Sequence, residues 1–185
     1  MKTFITGLIF GIFLAPVLLY LYFLSGRAPV TAPDQPLPLE AFFAGTALHA
    51  RMNREMPKTV PLAASDATLL AGAQVYKRYC GGCHGMLGRP ESPVARGMSP
   101  HPPQLLEPNS MVTDDPPGES YWKVRNGIRL SGMPGFQAAL SEEQMWQVSL
   151  LLANADKVSG AVKQELTFTP PPPPPPLAPA APAKK

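Results

Sequence analysis

The run Cys80-Gly81-Gly82-Cys83-His84 constrains this chain more than any other stretch of it. Two thiols three residues apart, with an imidazole directly after them, form the attachment signature of a c-type haem. Each thiol can add to one vinyl group of the porphyrin as a thioether, and the histidine then falls beneath the iron as an axial ligand. The intervening glycines are expected to let the backbone turn tightly against the ring. These are the only two cysteines of the chain, so the pair has no other thiol partner. Other uses of such a pair are poorly supported. A thioredoxin-like dithiol opens a helix after a strand in a βαβ pattern, and no such pattern is present. Half of a structural zinc site needs a second Cys/His pair at ligand spacing, and none follows.

The rest of the chain divides by composition. Residues 1–24 hold an uncharged run from Phe4 to Leu24, which as a helix of roughly 30 Å can span a bilayer. A cleavable signal peptide is the alternative, but its apolar core is usually only about 7–15 residues. No small-x-small cleavage site follows, so an uncleaved signal anchor is expected. Lys2 and Arg27 flank the run on opposite sides, which leaves the charge signal for orientation weak. Pro16 is tolerable within a membrane helix.

Residues 25–60 form a linker. Pro29, Pro33 and Pro36 predict extended chain from Ser25 to Leu37. Leu39, Phe42, Phe43, Leu48, Met52 and Met56 then recur at helical spacing, opposite Glu40, Arg51, Arg54 and Glu55. Such a stripe packs on its own domain or lies at the membrane surface, and docking to a partner subunit is the alternative. His49 on this helix reads as a surface or packing residue.

Residues 61–167 are the domain proper, and residues 168–185 a proline-rich tail. Seven consecutive prolines, Pro170 to Pro176, must form polyproline II of roughly 22 Å. A projecting, disordered tail is the expectation, with docking to an aromatic groove as the alternative. The overall charge of +3 does not belong to the domain, where nine basic side chains meet ten acidic ones between residues 60 and 167. No nucleic-acid footprint results.

Within the domain the pattern is all-α. Ser65 caps a helix over Asp66–Tyr79 that delivers Cys80. A proline-rich stretch of turns runs from Gly85 to Pro117, followed by a short helix over Glu119–Asn126 and a loop over Gly127–Phe136. Ser141 caps a last helix, Glu142 and Glu143 favour its positive end, and Gly160 follows its finish. An iron held by His84 needs a sixth ligand or a deliberate vacancy. Met133 is the candidate, in Ser131-Gly132-Met133-Pro134-Gly135-Phe136: the glycines let the loop lie against the ring, and Pro134 stiffens it. A thioether suits an iron of high potential. Met86 lies too close to His84, Met98 and His101 sit in the proline-rich stretch, Met111 lacks a glycine-bracketed loop, and Met145 belongs to a buried stripe.

The chain resembles the class I monohaem cytochromes c, especially bacterial membrane-anchored ones, over roughly residues 65–157. Gly72-x-x-x-Tyr76-x-x-x-Cys80-x-x-Cys83-His84-Gly85, Pro102-Pro103-Gln104-Leu105, Asn126-Gly127-Ile128, Gly132-Met133-Pro134 and the terminal helix with Trp146 carry the resemblance. It implies a cytochrome c-like domain of three to five helices around one haem c, attached through Cys80 and Cys83 and ligated by His84 and Met133. First and last helices should cross, with Gly72 allowing close approach beside Tyr76 and Trp146. The carbonyl of Pro102 or Pro103 should accept the Nδ1 proton of His84; Pro-Pro admits either register, and Pro103 is the candidate. Arg89, Tyr121, Trp122, Arg125 and Asn126 are candidate propionate partners. The implied function is electron transfer rather than enzymatic catalysis, with the haem domain in the periplasm, the chain anchored in the bacterial inner membrane, and membrane or periplasmic redox proteins as partners. A fixed subunit of a periplasmic dehydrogenase or respiratory complex is one alternative. A gas sensor or peroxidase is another, if Met133 leaves the iron open.

Overall fold

The computed structural model describes residues 2–89, 91–107 and 110–169. Helix α1, Lys2–Leu24, carries an apolar run over Phe4–Leu24 that is long and apolar enough to cross a membrane, and among the described residues none of it is buried. The segment after it departs from the extended chain expected. Tyr22 donates its hydroxyl to the carbonyl of Arg27, and the Asp34 carboxylate accepts from the backbone N–H groups of Val30 and Thr31 at 2.9 and 2.8 Å. Those two bonds fold the chain into a turn, because a short acceptor side chain can replace the backbone partner a turn lacks. They also hold the Asp34 carboxyl below its ordinary pKa.

Helix α2, Glu40–Glu55, packs on its own domain through one end only. Met52 is fully buried, the Trp122 indole N–H donates to Glu55 at 3.2 Å, and the backbone of Pro57 lies where a side chain on Gly118 would stand. Its other end, with Leu39, Phe42 and Phe43, is exposed.

The domain is built on α3, Asp66–Tyr79, and α7, Glu142–Ala153. Ser65 caps α3 by accepting from Thr68 N–H, and Ser141 and Gln144 close a reciprocal capping box at the start of α7. The two helices meet at Gly72, whose missing side chain makes room for the Gln147 carbonyl. Ala73, Tyr76, Val148 and Leu151 fill the contact and are fully buried. Helix α6, Pro117–Asn126, lies on the flank of α7, with Tyr121 stacked on Trp146 at 4.1 Å and 17°. A single turn α4, Gly81–His84, precedes the proline-rich stretch, which is punctuated by the single turn α5, Pro93–Arg96, and a 3-10 turn at Met111–Thr113. Among the described residues the fold is all-α, with isolated bridges and no strand.

Gly160 does not mark the end of the last helix. It opens a further one, α8, Gly160–Leu166, which packs on α3 through Val162 and Leu166 and ties to it by Lys77–Glu165 at 3.1 Å. A helix this short is invisible to propensity because tertiary packing supplies its stability. The chain stays attached past residue 167: Phe168 N–H donates to Leu87 O, and Arg89 sits over the Phe168 ring. The polyproline run lies outside the described residues.

Candidate haem site

Helix α3 ends where Tyr76 O accepts from Cys80 N–H, and the chain re-enters a helical turn at once. His84 N–H reaches back to Cys80 O at 2.9 Å, so both cysteines and the histidine are carried on one turn. Neither glycine between the cysteines adopts a positive φ. Neither is therefore required by a left-handed turn, because helical geometry is open to any residue. The Met86 side chain packs where a side chain on Gly81 would stand; at Gly82 there is open space. Gly85, at φ +80°, is the glycine that turns the chain away, and the Gln104 amide lies where a side chain on it would go.

Both thiols are free. Burial, with Cys83 beside it, pushes the Cys80 thiol up to about 12. His84 is half-buried, and its Nδ1 lies 2.8 Å from the Pro103 carbonyl. A carbonyl can only accept, so Nδ1 carries the proton and Nε2 keeps its lone pair for a metal. Burial lowers the pKa of His84, with the Pro103 bond opposing it, which favours the neutral ring a metal requires. Of the two prolines, Pro102 is the buried one and Pro103 supplies the acceptor. The backbone behind the ring is held as well: Tyr76, fully buried, shares its hydroxyl between the carbonyls of His84 and Gly85 at 3.1 and 2.9 Å. Leu105 N–H donates to His84 O, and the Gln104 side chain to Cys83 O.

Met133 stands on a closed loop. Ile128 N–H donates to Met133 O at 3.1 Å, Phe136 N–H to Val124 O at 2.9 Å, and Met133 N–H to Ser131 Oγ at 3.2 Å. The two limbs pass so closely at Gly127 and Gly135 that a side chain on Gly127 would come within 2.5 Å of Gly135 N. Gly132 is filled from outside by the methyl end of Met98. Sequence reasoning weighed Met98 only as a rival ligand and missed this packing, which no local pattern signals. Leu130, at the tip, has φ +62° and is 88% exposed.

The five candidate propionate partners separate. Trp122 faces α2 and donates to Glu55, Asn126 donates its amide to Trp122 O, and Arg89 covers Phe168. Arg125 and Tyr121 remain as a pair, guanidinium to hydroxyl at 3.2 Å. His101 lies 2.8 Å from Glu91, and His49 bonds Gly45 O within its own helix.

Residues 67–150 match the family model described as "Cytochrome C oxidase, cbb3-type, subunit III". The domain belongs to the cytochrome c family. No curated protein matches the chain. The matched span runs from α3 to α7 and so contains every residue of the cytochrome c site described above. The donor set fits a haem: two free thiols on one turn, an imidazole with its outer nitrogen free, and a thioether on a pinned loop.

Proposed function

We propose that the chain is a membrane-tethered periplasmic electron carrier holding one haem c. Cys80 and Cys83 would attach the ring, and His84 and Met133 would ligate its iron. The observation that carries this reading is the Pro103 bond to His84 Nδ1, which leaves Nε2 as the only ring nitrogen free. Bound haem supplies a one-electron couple, with no bond made or broken at the protein. The chain's own contribution is rigidity. Tyr76 and Leu105 hold the His84 backbone, and the Gly127–Gly135 crossing holds the Met133 loop, so little reorganises when charge changes. The apolar helix Phe4–Leu24 supports the tether, and c-type maturation outside the inner membrane supports the periplasmic side.

The test is the optical spectrum of the matured protein in both redox states, with and without carbon monoxide. A low-spin spectrum with a methionine-to-iron band, lost in Met133→Ala and indifferent to carbon monoxide in wild type, is expected. A high-spin ferrous form that takes up carbon monoxide would refute Met133 as ligand and favour gas or peroxide chemistry.

A second reading is a fixed subunit of a respiratory complex, and the description of the matching family favours it. Solubilisation in mild detergent separates the two: a carrier runs alone, whereas a subunit co-purifies at fixed stoichiometry.

A further inference from the structure

Helix α2 is divided along its length rather than around its circumference. Its first eleven residues, Glu40 to Ala50, contain one charged side chain, and its last five contain Arg51, Arg54 and Glu55. The charged end belongs to the haem domain, through Met52, the Glu55–Trp122 bond and Pro57 against Gly118. Among the described residues, nothing buries the apolar end. Leu39, Phe42 and Phe43 are 64%, 63% and 62% exposed, and the two rings meet edge to face at 5.4 Å.

Two observations indicate what covers this end. The linker doubles back, so that Tyr22 in the last turns of α1 and residues Asp34 to Pro38 line the same cleft. Leu39 is therefore the next residue after a segment that shares a cleft with the end of the apolar span. The backbone of Leu39 is also held at φ +66°, a conformation costly for a leucine, and the side chain so placed is exposed. The backbone cost is the same in any surroundings, but it fixes the direction of the side chain, which is unfavourable facing water and favourable facing the headgroup–acyl boundary. Phenylalanine and leucine are the side chains that interfacial helices bury at that depth.

We propose that Leu39, Phe42 and Phe43 insert into the phospholipid surface beside the span, making α2 a strut between bilayer and haem domain. A helix of 16 residues is about 24 Å long. The strut therefore limits how far the haem domain stands from the membrane, and because its far end is anchored on α6 it limits rotation as well. This rests on the proposed tether through Phe4–Leu24.

The test is spin-label depth measurement on the full-length, haem-loaded, reduced protein in vesicles of phosphatidylethanolamine and phosphatidylglycerol. With Cys80 and Cys83 consumed as thioethers, single cysteines can be introduced as Ile12→Cys, Leu39→Cys, Phe42→Cys, Phe43→Cys and Arg51→Cys. Each of the three labels on the apolar end leaves the other two side chains in place. The expected result is an oxygen-to-nickel-chelate accessibility ratio several-fold higher at 39, 42 and 43 than at 51, with position 12 the deepest. A ratio at 42 equal to that at 51, with position 12 deep, would overturn the strut and leave the span intact. Exclusion of both reagents at 42 would also overturn it, since protein rather than lipid would then cover the site. Position 12 accessible to the chelate would remove the span and the strut together.

Discussion

Substituting Gly72 by alanine attacks the contact on which the haem domain is built. A methyl group there would lie 2.7 Å from the Gln147 carbonyl carbon and 3.1 Å from Leu151 Cβ, besides striking the Gln147 oxygen. Comfortable carbon–carbon contact is about 3.5–4.0 Å, so α3 and α7 must part by roughly 1 Å. No rotamer relieves this, because the obstacle is backbone. Overpacking of this kind costs about 1–3 kcal/mol, and a backbone obstacle puts it at the upper end. Alanine in a helix interior returns about 1 kcal/mol relative to glycine. The net loss is about 2 kcal/mol, or roughly 8–16 °C of Tm for a domain of about 100 residues. Thermal and guanidinium unfolding of the haem-loaded protein, followed by far-UV circular dichroism, measures it. Gly45→Ala is the control, since nothing lies within 4 Å of a methyl group there and only the propensity gain remains. Gly72→Ala as stable as wild type would refute the close crossing.

Tyr76→Phe should cost about 1–3 kcal/mol, because the carbonyls of His84 and Gly85 lose a buried donor; denaturant midpoints check it, and unchanged stability would mean that water replaces the hydroxyl. Ser141→Ala removes one half of the capping box and should cost about 1 kcal/mol by the same assay. The Glu55 carboxyl is held below its ordinary pKa by Arg54, Arg51 and Trp122, so what it contributes to docking α2 is present above pH 4.5 and is lost as pH falls below that value. Acid titration of Trp122 emission in the haem-free chain, or of amide exchange in α2 of the loaded one, should show α2 loosening before α3 and α7; Glu55→Gln should abolish that early step.

The arrangement of the candidate haem site was legible where its chemistry is local. Cys80, Cys83 and His84 are neighbours in sequence and stay neighbours on one turn. The caps at Ser65 and Ser141 read correctly for the same reason, since a cap bonds within three residues of itself. Local reasoning had no access to what packs beside Gly81: it is Met86, brought there by the chain's return. Trp122, one of five candidates for the propionates, gives its indole N–H to Glu55 of α2, a contact 67 residues away that no local pattern signals.

The sequence by itself determined the helical class, the attachment motif and the apolar span, because each depends on residue types at short, regular spacing. Only the tertiary structure decided that Pro103 rather than Pro102 meets His84 and that α8 exists at all. It alone showed that Met98 backs the Met133 loop, and that α2 gives one end to the domain and leaves the other bare. These are contacts between residues far apart in the chain. Their energies come from burial and shape, which no local pattern records.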